Sequence, residues 1–473
     1  MRNRLFSLLV ILQLPAFVLS HATGADTLRI ATYNCLDYPG TDAGIRDPYF
    51  RTVLTAMDPD ILATQEMQSA DAIDSIRDIV LNYTQPGTYS AVPFHQGYDT
   101  NNGLFYKSSK VQFDGANYIE TDLRDIAEYD VTVVSSGDLI RIFSMHLKAG
   151  TDSSDAAERL TEATELRTYL NGLPPQSKFI LLGDFNLYTS AESAYQEFIG
   201  SQSNNNGIAK DPINMPGAWH ENYSYARIHT QSPRTRVFGG GDAGGLNDRF
   251  DFILIPASSL DANVIKSHYT AYGNDGYHFN DSINQLPNYA VPDSVANGLE
   301  YASDHLPVYC DFYFPAAPET TISISVQKGW NIESLPVATG GQSTALAFPA
   351  ATLPAYVYQL GSYYEQLQLQ NGYGYWLKFA NPDTVTFTGK RLAADSAFVW
   401  QGWNLIGSLT DTVSASSFTT LPDSIVASGV FEYDRTYQKA DRLAPGKGYW
   451  IKVSQNGIMY FSSPNRSSPR AQR

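Results

Sequence analysis

Cysteine is almost missing from this chain of 473 residues, with only Cys35 and Cys310 present. A single pair cannot supply a disulfide framework for a fold of this size. Nor are the two expected to bridge. Cys310 lies five residues beyond His305 on an extended run, which at about 3.3 Å per residue carries it roughly 16 Å from any site His305 shares with Asn34. A bridge needs Cα atoms within about 7 Å, so two buried free thiols are expected.

Charge is sparse too, at 17% of residues, while aromatics reach 13% with tyrosine the commonest. That balance excludes a disordered chain and leans toward β structure. What charge there is runs acidic. The net value is −16, and residues 319–473 hold 12 basic and 10 acidic side chains, leaving 20 basic and 38 acidic ahead of them. No basic stripe is present to release counterions from a polyanion, so long-range steering toward one is disfavoured. Bound metal would offset the acidity locally. Long apolar runs are lacking as well, except at the start. There Met1-Arg-Asn-Arg4 precedes an apolar stretch over 5–19, and the small residues Ser20, Ala22 and Ala25 follow. Such a stretch falls short of the ~20 residues that span a bilayer. Residues 1–25 read as a secretory signal peptide, which makes the mature protein exported and soluble, either secreted or periplasmic.

What is present is a series of apolar runs that end in polar residues. They lie at 28–34, 61–66, 142–146, 179–186, 248–255 and 303–308. Taken singly, each is accounted for by a buried strand and its turn. Taken together, their ends supply Asn34, Glu66, His146, Asp184, Asn186, Asp251, Asp304 and His305. That is an oxygen-rich set suited to a hard divalent cation, with two imidazoles for proton traffic. No apolar core requires it.

At 43% hydrophobic the chain has material for more than one core. Residues 26–314 read as one domain of alternating strands and helices. Helices are expected at 46–57, 70–81 and 154–170, the last with Ala156, Leu160, Ala163, Leu166 and Leu170 on one face. Strands are expected at 28–34, 61–65, 103–107, 129–134, 139–147, 178–183, 251–255 and 307–314. Residues 315–321 look like a linker. Beyond it, over 322–463, Gly329-Trp-Asn331 recurs as Gly402-Trp-Asn404, and Gly372-Tyr-Gly-Tyr-Trp376 is echoed by Gly446-Lys-Gly-Tyr-Trp450. Two repeats of Tyr-, Thr- and Val-rich strands predict a small all-β accessory domain. Trp330, Trp376, Trp403 and Trp450 are expected as its cores, with glycan or cell-surface binding through exposed aromatics as the alternative.

The six segments, in this order, resemble the endonuclease/exonuclease/phosphatase superfamily, the metal-dependent phosphoesterases that include DNase I-like nucleases. Gly183-Asp184-Phe-Asn186 followed by Ser303-Asp-His305 is the most specific part. The resemblance implies a four-layer α/β sandwich with its site where strand ends converge. It implies Mg²⁺ held by Asn34, Glu66 and Asp304, with Mn²⁺ or Ca²⁺ as substitutes. Asp184 would orient or deprotonate the attacking water while Asn186 donates to a phosphate oxygen. His305, partnered by Asp251, would stabilise the pentacoordinate state, and His146 resembles the histidine that protonates the leaving oxygen.

Substrate contacts are expected from Arg124, with an exposed salt bridge as its equal alternative, and from two long loops, whose alternative is disorder. One spans 204–247, with His229, Arg234 and Arg236. The other spans 272–280, with His278 and Asn280. Leu36 stands where many relatives carry an acid, and the tyrosine of DNase-like nucleases has no sure counterpart in Asn102-Gly-Leu-Phe-Tyr106. The first reading is an exported metal-dependent phosphodiester hydrolase acting on extracellular nucleic acid. A phospholipid or small phosphate-ester phosphodiesterase or phosphatase is the second, and an inactive binding protein using its repeats is the third.

Overall fold

The computed structural model describes residues 26–40, 44–257, 259–316, 318–339, 341–416 and 418–463. The expected signal peptide lies outside them. The chain divides into two compact units, Met1–Ala316 and Ala317–Arg473.

The first unit runs β1 (Asp26–Tyr38), α1 (Asp47–Met57), β2 (Ile61–Met67), α2 (Ala70–Ser75), β3 (Tyr89–Ala91), β4 (Asn101–Lys107), β5 (Val111–Ile119), β6 (Ile126–Val133), β7 (Leu139–His146) and α3 (Ser153–Asn171). It continues with β8 (Phe179–Asp184), α4 (Ser193–Ile199), β9 (Ala209–Lys210), β10 (Asp251–Pro256), β11 (Val264–Ala271), α5 (Asp293–Ala302) and β12 (Val308–Phe314). These strands build two six-stranded sheets, ordered β11-β12-β1-β2-β4-β3 and β5-β6-β7-β8-β10-β9.

Side chains alternate along each strand. Leu28 and Ile30, Ile61 and Ala63, Ile140 and Ile142, Ile180 and Leu182, and Ile253 and Ile255 therefore meet between the sheets. Their neighbours face outward. Ala31, Tyr33 and Leu62 pack on Phe50 and Val53 of α1 and Leu299 of α5, while Phe143, Leu181 and Phe252 pack on Leu166 and Leu170 of α3 and Phe198 of α4. The layers are helix, sheet, sheet, helix, the expected sandwich. Each fully buried side chain of this kind contributes about 1.5–3 kcal/mol relative to exposure.

The expected helices form, with the one over 70–81 continuing from α2 as a π-helical stretch, Ile76–Leu81. Ser69 caps it by accepting from the Ala72 amide at 3.2 Å. Cys35 and Cys310 are free and buried. No helix among the described residues is long and apolar enough to cross a membrane.

In the second unit, Glu319–Val326 is a strand paired along Asp383–Arg391, so ordered structure begins inside the stretch expected as a linker. Each repeat pairs its Gly-Trp-Asn strand with its Tyr-Trp strand, Gly329–Glu333 on Tyr375–Phe379 and Gly402–Ile406 on Tyr449–Val453. The recurring asparagine is a turn lock. Asn331 accepts from the Gln327 amide at 2.9 Å and donates to its carbonyl at 2.8 Å, and Asn404 does the same to Trp400 at the same distances. The tryptophans divide: Trp376 and Trp450 are buried at 8% exposure, but Trp330 and Trp403 stand 44% and 39% exposed. The expectation of four core tryptophans is corrected to two, because the strand alternation turns the other pair toward solvent.

The repeats meet through Ser334 and Ser408, whose hydroxyls lie 3.0 Å apart, and through bridges Glu333–Lys447 and Tyr373–Ile406. Only the first is ionic, with Lys447 Nζ 2.8 Å from Glu333 Oε1. Burial pushes the Glu333 carboxyl up from 4.5 to about 7, with Lys447 holding it partly down. A carboxyl raised on folding binds protons more tightly in the folded state. Stability of this unit is therefore expected to fall as pH rises from 4.5 to about 7. Glu333→Gln is expected to flatten that slope, leaving the part below about 6 that Asp395, likewise raised by burial, contributes. Tryptophan fluorescence during thermal unfolding of the full chain checks this, since five of its six tryptophans lie in this unit. A variant whose midpoint keeps the wild-type pH slope would contradict it.

Candidate active site

The alternation that builds the sheet–sheet core continues past it. Beyond Ile30, Ala63 and Ile142, the next inward positions are polar and bonded to one another. Thr32 Oγ1 donates to Gln65 Oε1 at 3.1 Å, Gln65 Nε2 to Ser144 Oγ at 2.9 Å, and Ser144 Oγ to Asn102 Oδ1 at 2.8 Å. One step further the same ladder ends in Asn34 and His146, and on the neighbouring strands Asp184 and Asp251 follow Leu182 and Ile253 directly. The register aligns His146 with Asp184 on the parallel pair β7–β8, and Asp184 with Asp251 on the antiparallel pair β8–β10.

Glu66 has the opposite parity on β2. It reaches the cluster because its backbone turns to φ 62°, a left-handed conformation that costs about 1–3 kcal/mol for a non-glycine residue and gathers at functional sites. Leu36, Asp37 and Asn186 share that conformation nearby.

The cluster is tight. Asn34 Nδ2 donates to Glu66 Oε1 at 2.8 Å and to Asp184 Oδ2 at 3.0 Å. His146 Nε2 lies 3.5 Å from Asp184 Oδ2, and its Nδ1 3.8 Å from Glu66 Oε1. His305 places Nε2 3.7 Å from Asp184 Oδ2 and Nδ1 2.8 Å from Asp251 Oδ2. Asp304 accepts from the Asp242 amide at 2.7 Å. Asn186 receives its own turn from Asp184, whose Oδ1 accepts from the Asn186 amide at 3.1 Å, and its side chain donates to the Leu147 carbonyl at 3.0 Å. Arg124 stands at the edge, paired with Asp99 at 2.9 Å and 3.4 Å from the carbonyls of His146 and Leu147.

Burial sets the electrostatics. It raises the Glu66 carboxyl against the pull of Asn34. It also pushes Asp184 up to about 7, with His305 and Asn34 opposing and Asp251 and Glu66 adding to the rise. Burial would lower His305, but Asp251, Asp184 and Asp304 override it and hold the imidazolium well above its usual range. His146 goes the other way, lowered by burial and then by Arg124 and His305. His146 is thus a neutral base or ligand at neutral pH, a condition opposed to its expected role as the acid.

Glu66, His146 and Asp184 bring donor atoms within 4.8 Å of one another. A buried and a partly buried carboxylate pointed together, with His146 Nδ1 buried and unpartnered beside them, fit a divalent cation. Glu66 is common to this trio and to the expected set with Asn34 and Asp304.

Two loops depart from expectation. His278 is buried, its Nδ1 2.8 Å from Asp275 and its Nε2 2.8 Å from the Gln285 carbonyl. Both ring nitrogens are spent on the loop. Asn280 pairs with the Asn247 amide at 3.0 Å and bonds to none of the clustered residues. His229 and Arg234 are buried and turned inward, while Arg236 is exposed but paired within the protein. His229 binds the Trp219 carbonyl, Arg234 the carbonyls of Phe238, Gly240 and Asp242, and Arg236 the Glu300 carboxylate. One neighbour went unread: Gln231, whose Nε2 lies 2.8 Å from His305 Nε2. Thr230-Gln-Ser232 carries no spacing or motif that would have marked it.

The sequence profile of the Endonuclease/Exonuclease/phosphatase family matches residues 31–305. No curated protein matches the chain. Among solved structures, truncated Caenorhabditis elegans TDP2 is 15% identical, covering 61% of this chain and 98% of its own, with a TM-score of 0.41. The human Nocturnin catalytic domain is 18% identical over 61% of this chain and 97% of its own, at 0.39. The Bacteroides thetaiotaomicron mannosyl-6-phosphatase is 17% identical over 61% and 100%, also at 0.39.

His278→Ala is expected to cost about 1–3 kcal/mol of stability, the penalty for orphaning the Gln285 carbonyl and taking one hydrogen bond from Asp275, which keeps those from the Tyr277 and Tyr289 amides. Turnover of any substrate below the unfolding temperature should stay within about threefold of wild type. Thermal unfolding and initial rates on the same preparation check both, and a large rate loss at full stability would restore His278 to the substrate.

Proposed function

The chain belongs to the endonuclease/exonuclease/phosphatase family, and from that premise we propose that it is an exported, Mg²⁺-dependent phosphodiester hydrolase with extracellular nucleic acid as its first substrate class. The observation that carries this reading is Asp184, a buried carboxylate within 3.5 Å of one imidazole and 3.7 Å of another. Such a carboxylate serves as a base toward water when its affinity for protons lies near neutrality.

Glu66, with Asn34 and Asp304, would hold the cation, and His146 and Asp184 border the same place. When bound, a divalent ion neutralises the phosphate and acidifies coordinated water. The remaining work falls to the chain. Asp184 accepts the proton of the attacking water, and Asn186 orients the phosphate through its second amide hydrogen. His305, kept protonated by Asp251, donates from Nε2 to a non-bridging oxygen as its charge grows. His146, held neutral, is suited to binding and relaying a proton rather than to storing one.

One observation favours a second reading, a small phosphate ester or phospholipid head. Of the three arginines of the 204–247 loop, Arg234 is buried on backbone carbonyls and Arg236, though exposed, pairs with Glu300. Two of the three are thus already engaged within the protein, which favours a single phosphate over a polyanion. Salt dependence separates the two: a nuclease gripping several phosphates loses affinity steeply with salt, a single-phosphate enzyme does not.

For the second unit we infer glycan or cell-surface binding. A groove of about 440 Å³ is lined by Tyr358, Tyr363, Trp403, Phe431, Tyr437 and Trp450, with no charged side chain. Such a lining suits a neutral ligand with flat apolar faces. Trp403→Ala is expected to abolish retention of the full chain on insoluble polysaccharide while leaving hydrolysis unchanged, and equal retention would refute this.

Hydrolysis of plasmid DNA, sphingomyelin and bis(p-nitrophenyl) phosphate should require Mg²⁺ and stop with EDTA, whichever of the three is the substrate. Asp184→Ala and His305→Ala should each lower kcat/KM by about three orders of magnitude or more with folding intact. A wild-type protein cleaving none of the three would favour the inactive binding protein.

A further inference from the structure

His305 has two ring nitrogens, and Asp251 occupies Nδ1 at 2.8 Å. Only Nε2 is left to meet a substrate. The side-chain atom 2.8 Å from it is the carboxamide of Gln231, so Gln231 stands where a phosphate oxygen bound by His305 would arrive.

Its backbone is fixed on both sides. The Gln231 amide donates to the Asp248 carbonyl at 3.1 Å, and the Gln231 carbonyl accepts from Asn247 at 2.9 Å and Asp248 at 3.0 Å. The residue before it is bound as firmly, with Leu306 donating to the Thr230 carbonyl at 2.7 Å and the Asp251 amide to Thr230 Oγ1 at 3.1 Å. The segments that carry Asp251 and His305 therefore also set the Gln231 Cα, while the carboxamide keeps its rotatable stem. An amide terminus carries one acceptor and two donor hydrogens. It can satisfy Nε2 whichever way that nitrogen is protonated, and it can donate to an anion without adding charge.

We propose that Gln231 contacts the scissile phosphate: its carboxamide holds the His305 ring before substrate arrives, then donates to the same non-bridging oxygen that His305 binds. This rests on the phosphodiesterase reading above. A neutral donor at this point adds to oxyanion stabilisation in a site whose other cationic side chain, Arg124, is held at the rim by Asp99.

Full-length protein with Mg²⁺ and bis(p-nitrophenyl) phosphate tests it. Gln231→Met keeps the length and removes both hydrogen-bonding functions. It is expected to lower kcat/KM by about 10- to 100-fold, mostly in kcat, because the contact tightens as charge develops on the oxygen. Gln231→Glu keeps the shape but sets an anion against the phosphate, and is expected to raise KM beyond its value in Gln231→Met. A side chain that merely packed would tolerate both. Rates for Gln231→Met within about twofold of wild type in kcat and KM, at an unchanged unfolding midpoint, would overturn the proposal. If wild-type protein turns over no phosphodiester, the functional reading fails by itself. The ring-holding half is then read by NMR of ¹⁵N-histidine-labelled protein, where Gln231→Met should move the His305 Nε2 resonance. An unmoved resonance would overturn that half too.

Discussion

One parity governs the first unit: inward-facing positions of β1, β7, β8 and β10 are apolar at the core and end in a polar or charged side chain at the rim, with a neutral polar position between the two on β1 and β7. Ile142, Ser144 and His146 follow that sequence, as do Ile30, Thr32 and Asn34. Because the sheets are hydrogen-bonded in register, a one-residue slip of β8 would send Asp184 to the helix face and replace it with an apolar side chain. The site is thus fixed by the same hydrophobic contacts that fix the core, and it inherits their rigidity. Burying Asp184 to 2% exposure is costly for an anion. The offsetting partners, Asn34 and His305, arrive from β1 and from the turn before β12, so the cluster ties the two sheets together at the end where nothing apolar does.

Glu66 alone breaks the parity, and the backbone pays for it with a left-handed residue. That exception has a physical use. A carboxylate following the alternation would lie on the helix side of β2, among Tyr33, Leu62 and Phe50, where no partner could discharge it. Turned by the positive φ, it meets Asn34 and the Asp37 amide at 2.8 Å each. Strain of this kind persists only where surrounding contacts over-determine the conformation, and here the parallel pairing of β1 and β2 supplies them up to Asn34 and Gln65.

Strand ends were legible in the sequence because a buried strand announces itself by apolar alternation and a site residue by the polar break that ends it. Asn34, Glu66, His146, Asp184, Asp251 and His305 all sit at such breaks. The edge strands escaped notice for the opposite reason. Val264–Ala271 reads Val-Ile-Lys-Ser-His-Tyr-Thr-Ala, and Val111–Ile119 is equally mixed; each has a solvated side, so neither presents a run to recognise. The loops misled more seriously. His229, Arg234 and His278 look like ligand contacts in a polar stretch, but a long loop packed against a domain must satisfy its own carbonyls. Buried arginine and histidine do that work here. Which polar residue faces inward to the loop and which faces substrate is decided by backbone course, and no periodicity records it. Gln231 lost its visibility the same way.

The second unit shows how an internal repeat can share an interface without being symmetric. Glu333–Lys447 and Tyr373–Ile406 occupy related positions where each repeat reaches into the other, yet one pair is ionic and the other apolar. If both were ionic, two carboxylates would be buried close to the Ser334–Ser408 axis, each raising the other's proton affinity. If both were apolar, nothing would distinguish one pairing of the halves from its exchange. A single pair with its carboxylate buried sets a register at a cost in stability, the best-attested use of such groups. Gly374 and Gly448 show why the repeats can approach at all. A Cβ on Gly448 would come within 3.0 Å of the Gly374 Cα, and one on Gly374 within 3.2 Å of the Gly448 Cα. This one of the repeat's recurring glycine pairs is therefore spent on itself, while the lysine and glutamate that differ between copies decide which half is which.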